Sequence, residues 1–312
     1  YEMSACLVGS EMCIRDRVNS LHKYMRAIGF SEVWSRKELQ KLLTDVVIEG
    51  KERAYTSNGD ETLLASFSKE FAPNIGVTVC GEFDEDDKFV YEYYFPFLRG
   101  TNITTQEDVS IERHAALESY AGVCDDVRIG VSLIFYLQNM IPYVKAKNSN
   151  NLPIRGTTLT LSALSLSGTI MMPLKKTEKD LIRNQQTLRD RSQLLNAARN
   201  GDEEAIENLT LDDMDTYSAI SKRIHNEDVF TLVDTYFMPY GVECDQYSVL
   251  GEIVDFNFVK NIVTDEEICV MIVSCNDLQF DICINRADLY GEPAVGRRFK
   301  GTIWMQGYIN FP

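Results

Sequence analysis

Ile75-Gly76-Val77-Thr78-Val79-Cys80-Gly81-Glu82-Phe83, then Asp84-Glu85-Asp86-Asp87-Lys88, then Phe89-Val90-Tyr91-Glu92-Tyr93-Tyr94-Phe95-Pro96-Phe97: this stretch decides the fold class. Two runs rich in β-branched and aromatic residues flank a wholly charged segment, which reads as a β-hairpin with an acidic tip. Phe89, Tyr91, Tyr93 and Phe95 share one face at period two. Strands joined this tightly pair antiparallel, because a parallel pair needs a crossover of a dozen or more residues. A second hairpin is expected from 156–164 and 168–174 around Ser165-Leu166-Ser167. A strand is expected over 127–137, where apolar residues alternate with Arg128, Gly130 and Ser132.

Helical spacing surrounds these strands. Leu21, Tyr24, Met25 and Ile28 form one set, and Leu39, Leu42, Leu43, Val46 and Val47 another, divided at Gly29 and Ser31. Ser35 and Glu38 make a capping box for the second helix. Further helices are expected over 61–71, stopped before Pro73, and over 109–120. Leu181, Leu188 and Leu195, seven apart in a charged segment, predict a long helix over 175–200 closed by Gly201. Thr210 and Asn226 each cap another, the last reaching Phe237 before Met238-Pro239-Tyr240-Gly241. Past Asp245 the chain is nearly all β, with strands over 250–259, 267–275, 278–285, 299–306 and 308–311 that predict a small OB-like barrel. The expected class is α+β. It comprises an antiparallel-sheet domain with flanking helices over 18–174, a helical linker over 175–241, and a small mainly β domain over 242–312.

Composition narrows the function. Of 312 residues, 47 are acidic and 31 basic, for a net charge of −16 that repels phosphate backbones and anionic lipid. No apolar run reaches the roughly 18 residues of a membrane span, and no basic segment precedes 4–10 as in a signal peptide. The eight cysteines show no CxxC pairing, and most sit in apolar strand-like runs, which suits reduced thiols in the cytoplasm.

Two resemblances add to this. Ser4-Ala5-Cys6-Leu7-Val8-Gly9-Ser10-Glu11-Met12-Cys13-Ile14-Arg15-Asp16-Arg17 resembles the translation of a sequencing adapter, so 1–17 is expected to be an artefactual, disordered extension. From about His22 onward the chain resembles an uncharacterised, domain-of-unknown-function family of anaerobic Gram-positive bacteria. The resemblance is carried by Lys23-Tyr24-Met25-Arg26-Ala27-Ile28-Gly29-Phe30, Ala72-Pro73-Asn74-Ile75-Gly76, Gly81-Glu82-Phe83-Asp84-Glu85-Asp86-Asp87-Lys88 and Ser119-Tyr120-Ala121-Gly122-Val123-Cys124-Asp125-Asp126. It continues through Asp212-Asp213-Met214-Asp215-Thr216-Tyr217, Met238-Pro239-Tyr240-Gly241-Val242-Glu243-Cys244-Asp245 and Gly296-Arg297-Arg298-Phe299-Lys300-Gly301. It implies no activity, ligand or catalytic residue.

Three constellations carry candidate chemistry. The acidic tip, Glu82, Asp84, Glu85, Asp86 and Asp87, could gather a hard cation but lacks the Gly and the bidentate Glu of a calcium loop, and no metal or cofactor is assigned. His114 and Cys124 suit a base and nucleophile, with Asp125 or Asp126 orienting the imidazole, although no nucleophile elbow or oxyanion-hole glycines accompany them. In 298–308 the alternation sets Arg298, Lys300, Trp304, Gln306 and Tyr308, with Arg297 adjacent, on the face opposite Phe299, Ile303 and Met305. Basic residues interleaved with aromatics bind single strands on OB-type barrels. The alternative is that helix covers Trp304 and Tyr308. The expectation is a non-enzymatic binding or scaffold protein with a protein partner. Enzymatic hydrolysis or group transfer in the N-terminal domain and weak single-stranded nucleic-acid binding stand as alternatives.

Overall fold

The computed structural model describes residues 21–32, 35–57, 63–107, 109–113, 119–126, 128, 132–149, 156–174, 193–194, 197–198, 201–209, 211 and 233–312. The helices expected within 175–200 and 210–232, and the adapter-like stretch, fall largely or wholly outside them.

The two N-terminal helices form where the capping signals stand. A 3-10 turn covers Lys23–Ile28, with His22 Nδ1 accepting from the Tyr24 N–H at 3.3 Å and Gly29 ending it at φ 86°. Helix α1, Arg36–Glu49, carries the expected Ser35–Glu38 capping box. Strands β1 (Glu52–Ser57), β2 (Leu63–Ala72), β3 (Ile75–Phe83) and β4 (Phe89–Leu98) follow as an antiparallel sheet in that order. The β3–β4 hairpin is the one read from the sequence, with Phe83 opposite Phe89. The Asp84 carboxylate organises its tip by accepting from the Asp86 and Lys88 N–H groups. Where a helix was expected over 61–71, the chain forms β2. Its Leu, Ala, Lys and Glu favour helix only weakly, and pairing to β1 and β3 on both edges outweighs that. The β2–β3 turn places Pro73 before Asn74 at φ 61°, the pattern of a type II turn.

The second sheet contains β5 (Val109–Arg113), β6 (Tyr120–Cys124), β7 (Leu133–Leu137), β8 (Thr158–Met171), β9 (Tyr236–Pro239), β10 (Gln246–Lys260), β11 (Glu267–Cys275), β12 (Leu278–Asn285), β13 (Leu289–Tyr290) and β14 (Arg298–Asn310). Five of these close into a ring, β8-β12-β11-β10-β14, sealed by the antiparallel pairing of β14 with β8. Phe280, Ile282 and Ile284 alternate inward from β12, with Met271, Val273, Ala163, Val249, Phe299, Ile303 and Met305 from the other strands. The ring is filled by side chains. The four-stranded sheet and the barrel share one apolar core, an α+β arrangement that is mostly β.

Four expectations are corrected here. Residues 109–113, expected to open a helix over 109–120, are instead strand β5, paired antiparallel with β6. The expected hairpin over 156–174 is the single strand β8. Thr302 pairs with Ser167 and Ile303 with Ser165, so Leu166 is a bulge residue and the serines bend the strand rather than reverse it. The strands expected over 299–306 and 308–311 are one strand, β14, ending at Asn310, in which Gly307 makes room for the Phe135 ring instead of a break. Tyr236 and Phe237 belong to β9, paired with β10, not to a helix. Strand β8, which precedes the expected linker, pairs with β12 and β14 of the ring. Helix α2, Met140–Asn148, had no sequence signal, because the side chain of Asn139 does not cap it and instead bonds both backbone groups of Ile309.

Candidate functional site

A cleft of about 260 Å3 opens where the outer faces of β10, β11 and β12 meet the β2–β3 turn and the loop after β4. Its apolar wall comes from Val259, Val270 and Ile272, and its rim from Asn74, Thr101, Asp255 and Asn257. Alternation explains the wall. Val270 and Ile272 point away from the barrel interior that Met271 and Val273 fill, and Asn257 pairs with Val270 across the strands. A bulge between Ile253 and Asp255 resets the register of β10 and brings Asp255 opposite Ile272.

Asp281 closes the cleft. It lies on β12 between two inward residues, yet is only 2% exposed because the loop after β4 lies over it. Gly100 permits that approach, since a Cβ there would meet Thr160 Cγ2 at 2.5 Å and the Leu161 carbonyl at 2.9 Å. The Asp281 carboxylate accepts from the Thr101 N–H at 2.9 Å and from its hydroxyl at 3.1 Å. Each oxygen thus has a donor, and a carboxylate with roughly four acceptor positions has room for two more. Burial raises its pKa, and the Thr101 bonds oppose that without cancelling it.

Arg99, at the cleft's edge, is committed elsewhere. Its guanidinium pairs with Glu52 and lies 5.0 Å from the Phe97 ring centre and 5.2 Å from that of Tyr308. Its Nε is enclosed and has no acceptor among the described residues.

None of the described residues singled out from sequence lines this cleft. Cys124, on β6, is buried, and burial pushes its thiol up to about 12, with Asp126 and Glu107 adding to the effect. Asp125 is exposed and accepts from Ser132 Oγ at 2.5 Å, while His114 lies outside the described residues. On β14, Arg298 is buried, donating to the carbonyls of Met172 and Val233. Lys300 is half-buried, and Arg297 donates to the Glu292 carbonyl. Trp304 is 3% exposed, stacked on Tyr24 at 5.0 Å with His22 and Tyr136 beside it, and its indole N–H donates to Asp245 at 2.6 Å. Tyr308 lies beneath Arg99. Among the described residues Trp304 is therefore covered by the N-terminal 3-10 turn and His22, while Tyr308 is half-buried. Alternation alone assigns Asp281 to the solvent face of β12, so no sequence signal marks it as buried.

Asp126 serves the fold. It is buried, and burial raises its pKa, but the Arg128 hydrogen bonds and charge together with Thr105 bring the net shift below the usual carboxylate range. Arg128 also reaches the carbonyls of Thr104 and Asp277, joining three loops. A lowered folded pKa gives stability that is present above the unfolded value and lost as pH falls through the folded one. Asp126→Asn is expected to cost about 2 kcal/mol at pH 7 and to flatten the decline in stability as pH falls through the carboxylate range, read from urea midpoints. An unchanged pH profile would assign the acid sensitivity elsewhere.

Five cysteines, Cys80, Cys124, Cys269, Cys275 and Cys283, are free and buried, while Cys244 is disulfide-bonded, a departure from the expectation of reduced thiols throughout. No helix among the described residues is long and apolar enough to cross a membrane.

Over residues 25–307 the chain matches the model of a family described as a domain of unknown function named for an E. rectale gene, DUF3881, and it belongs to that family. Comparison with curated proteins and with solved structures gave no match.

Proposed function

We propose, for this member of a family without an assigned activity, a non-enzymatic binding protein that takes a small ligand in the cleft between the barrel and the four-stranded sheet. One observation carries the reading: Asp281, a buried carboxylate at the back of an open cleft, with room for donors beyond the two that Thr101 supplies. Sites of this kind combine an apolar wall with a few polar groups that fix orientation. The barrel's strand order supports an OB-like reading. It has a β10-β11-β12 meander, β14 antiparallel to β10, and a final strand, supplied by β8 from upstream, parallel to β12 and antiparallel to β14. In OB-type barrels the face of the second and third strands carries the ligand, and here those are β11 and β12, which wall the cleft; this support is analogy at the level of fold.

The competing readings face specific obstacles. A thiol held at about 12 keeps Cys124 protonated at neutral pH, whereas nucleophilic cysteines work as thiolates. Trp304 has no open face on which a base would stack. The five free thiols favour the cytoplasm, and the disulfide at Cys244 does not.

Val270→Trp tests the cleft, since Val270 is half-buried on its wall and an indole there occupies the space. In a ligand-observed NMR screen against a general fragment library, hits on the wild type are expected to be lost in this variant. A hit-free wild type, or hits that persist in Val270→Trp, would overturn the reading.

A further inference from the structure

We infer that the ligand taken by the cleft is a small alkylammonium compound, its charged nitrogen on the Asp281 carboxylate and its hydrocarbon against Val259, Val270 and Ile272. The inference rests on the binding reading above and adds the chemistry of the ligand.

Charge points to a cation. The cleft presents two carboxylates, Asp281 at the back and Asp255 at the mouth. Its guanidinium, Arg99, is paired with Glu52 and lies against two rings, and its Nε is enclosed. An anionic ligand would meet uncompensated carboxylates inside a chain of net charge −16, at a position where burial weakens screening. A cation is drawn by the same field and meets a fixed counter-charge.

Donor count points to an amine. Thr101 fills two of the roughly four acceptor positions of Asp281, leaving room for two further donors. An ammonium carries three N–H donors on one atom, enough to fill those positions and still reach a rim oxygen. An alcohol brings only one. Asp281 has also given up most of its hydration, and burial already favours its neutral form; a cation arriving there restores the charged form. The rest of the wall is hydrocarbon, and a volume of about 260 Å3 sits just below the usual range for small-molecule sites, so a short alkyl body is what it accommodates.

The test is titration of the full chain with n-butylammonium, butyramide and butyrate, followed by calorimetry and ligand-observed NMR, on wild type, Asp281→Asn and Val270→Trp. Asp281→Asn keeps an oxygen for the Thr101 N–H, and circular dichroism checks its folding. The expected result is binding of n-butylammonium to the wild type, at least tenfold weaker in Asp281→Asn, abolished in Val270→Trp, and no binding of butyrate. Equal affinity of n-butylammonium for wild type and Asp281→Asn would overturn the inference. So would preference for butyramide or butyrate; if that binding were lost in Val270→Trp, the cleft would stand and only the ligand class would fall. Failure of every probe, together with a hit-free fragment screen, would remove both.

Discussion

Phe135→Ala is expected to lower the free energy of unfolding by about 3–5 kcal/mol, the usual range for emptying a buried aromatic site. Phe135 is fully buried on β7, and its ring occupies the space of two missing side chains. A Cβ on Gly122 would come within 2.1 Å of the ring, and one on Gly307 within 2.3 Å. These glycines belong to the flanking strands, Gly122 paired opposite Phe135 on β6 and Gly307 on β14. The hydrogen-bonded link between β7 and β14 is short, pairing Gln306 with Tyr136 and Gly307 with Leu137, so ring packing does much of the fastening of β5–β7 to the barrel. Reciprocal overpacking should also be costly, with Gly122→Ala and Gly307→Ala each losing about 1–3 kcal/mol. Because the clash and the cavity occupy one place, Gly307→Ala should cost less in a Phe135→Ala background than alone, a non-additivity that a double-mutant cycle in urea would read. Additive costs, or a Phe135→Ala variant as stable as the parent, would show that the ring is not wedged between these strands.

What the sequence disclosed follows from how local each determinant is. The β3–β4 hairpin and the Ser35–Glu38 capping box are written in adjacent residues, and both form as read. Strands β11 and β12 match to the residue, because apolar runs with turn residues between them need no distant partner to be recognised. Strand β8 was misread because Ser165-Leu166-Ser167 looks like a turn until β14, more than a hundred residues later, supplies the pairing that makes Leu166 a bulge. In β2 small helix propensities are overridden by pairing to the strands on both sides. The face of Trp304 was assigned correctly by alternation, but its cover, Tyr24 and His22, comes from the opposite end of the chain. Asp281 follows the same logic. Period two places it outside the barrel, and only the packing of the loop around Gly100 buries it.

Gln306→Leu is expected to cost about 3 kcal/mol and to release the four-stranded sheet from the barrel before the barrel itself opens. Gln306 is fully buried on the outer face of β14, between Trp304 and Tyr308. Its Nε2 donates to the Pro96 carbonyl at 2.8 Å, and its Oε1 accepts from Gln138 Nε2 at 2.8 Å and from the Leu98 N–H at 3.4 Å. The Leu98 carbonyl accepts from Gln138 Nε2 at 2.9 Å and from Ser162 Oγ at 2.5 Å. These groups of Pro96 and Leu98 lie on the edge of β4 that β3 does not occupy, where a further strand would otherwise pair. Proline is tolerated at 96 for the same reason, since the N–H it lacks would have faced that edge. Side-chain amides thus stand in for a missing strand and tie one sheet to the other. Leucine fills a similar volume but leaves the Pro96 carbonyl, the Leu98 N–H and the Gln138 amide short of partners in a site closed to water, and each such group costs about 1–3 kcal/mol, partly relieved by relaxation. Gln306→Glu should fare worse, because it keeps the acceptor, loses the donor to Pro96 and buries a charge. The distinguishing measurement is hydrogen exchange. In Gln306→Leu the Leu98 amide should exchange faster while β11 and β12 stay protected, whereas uniform loss of protection would mean that Gln306 supports global stability rather than the junction between the sheets.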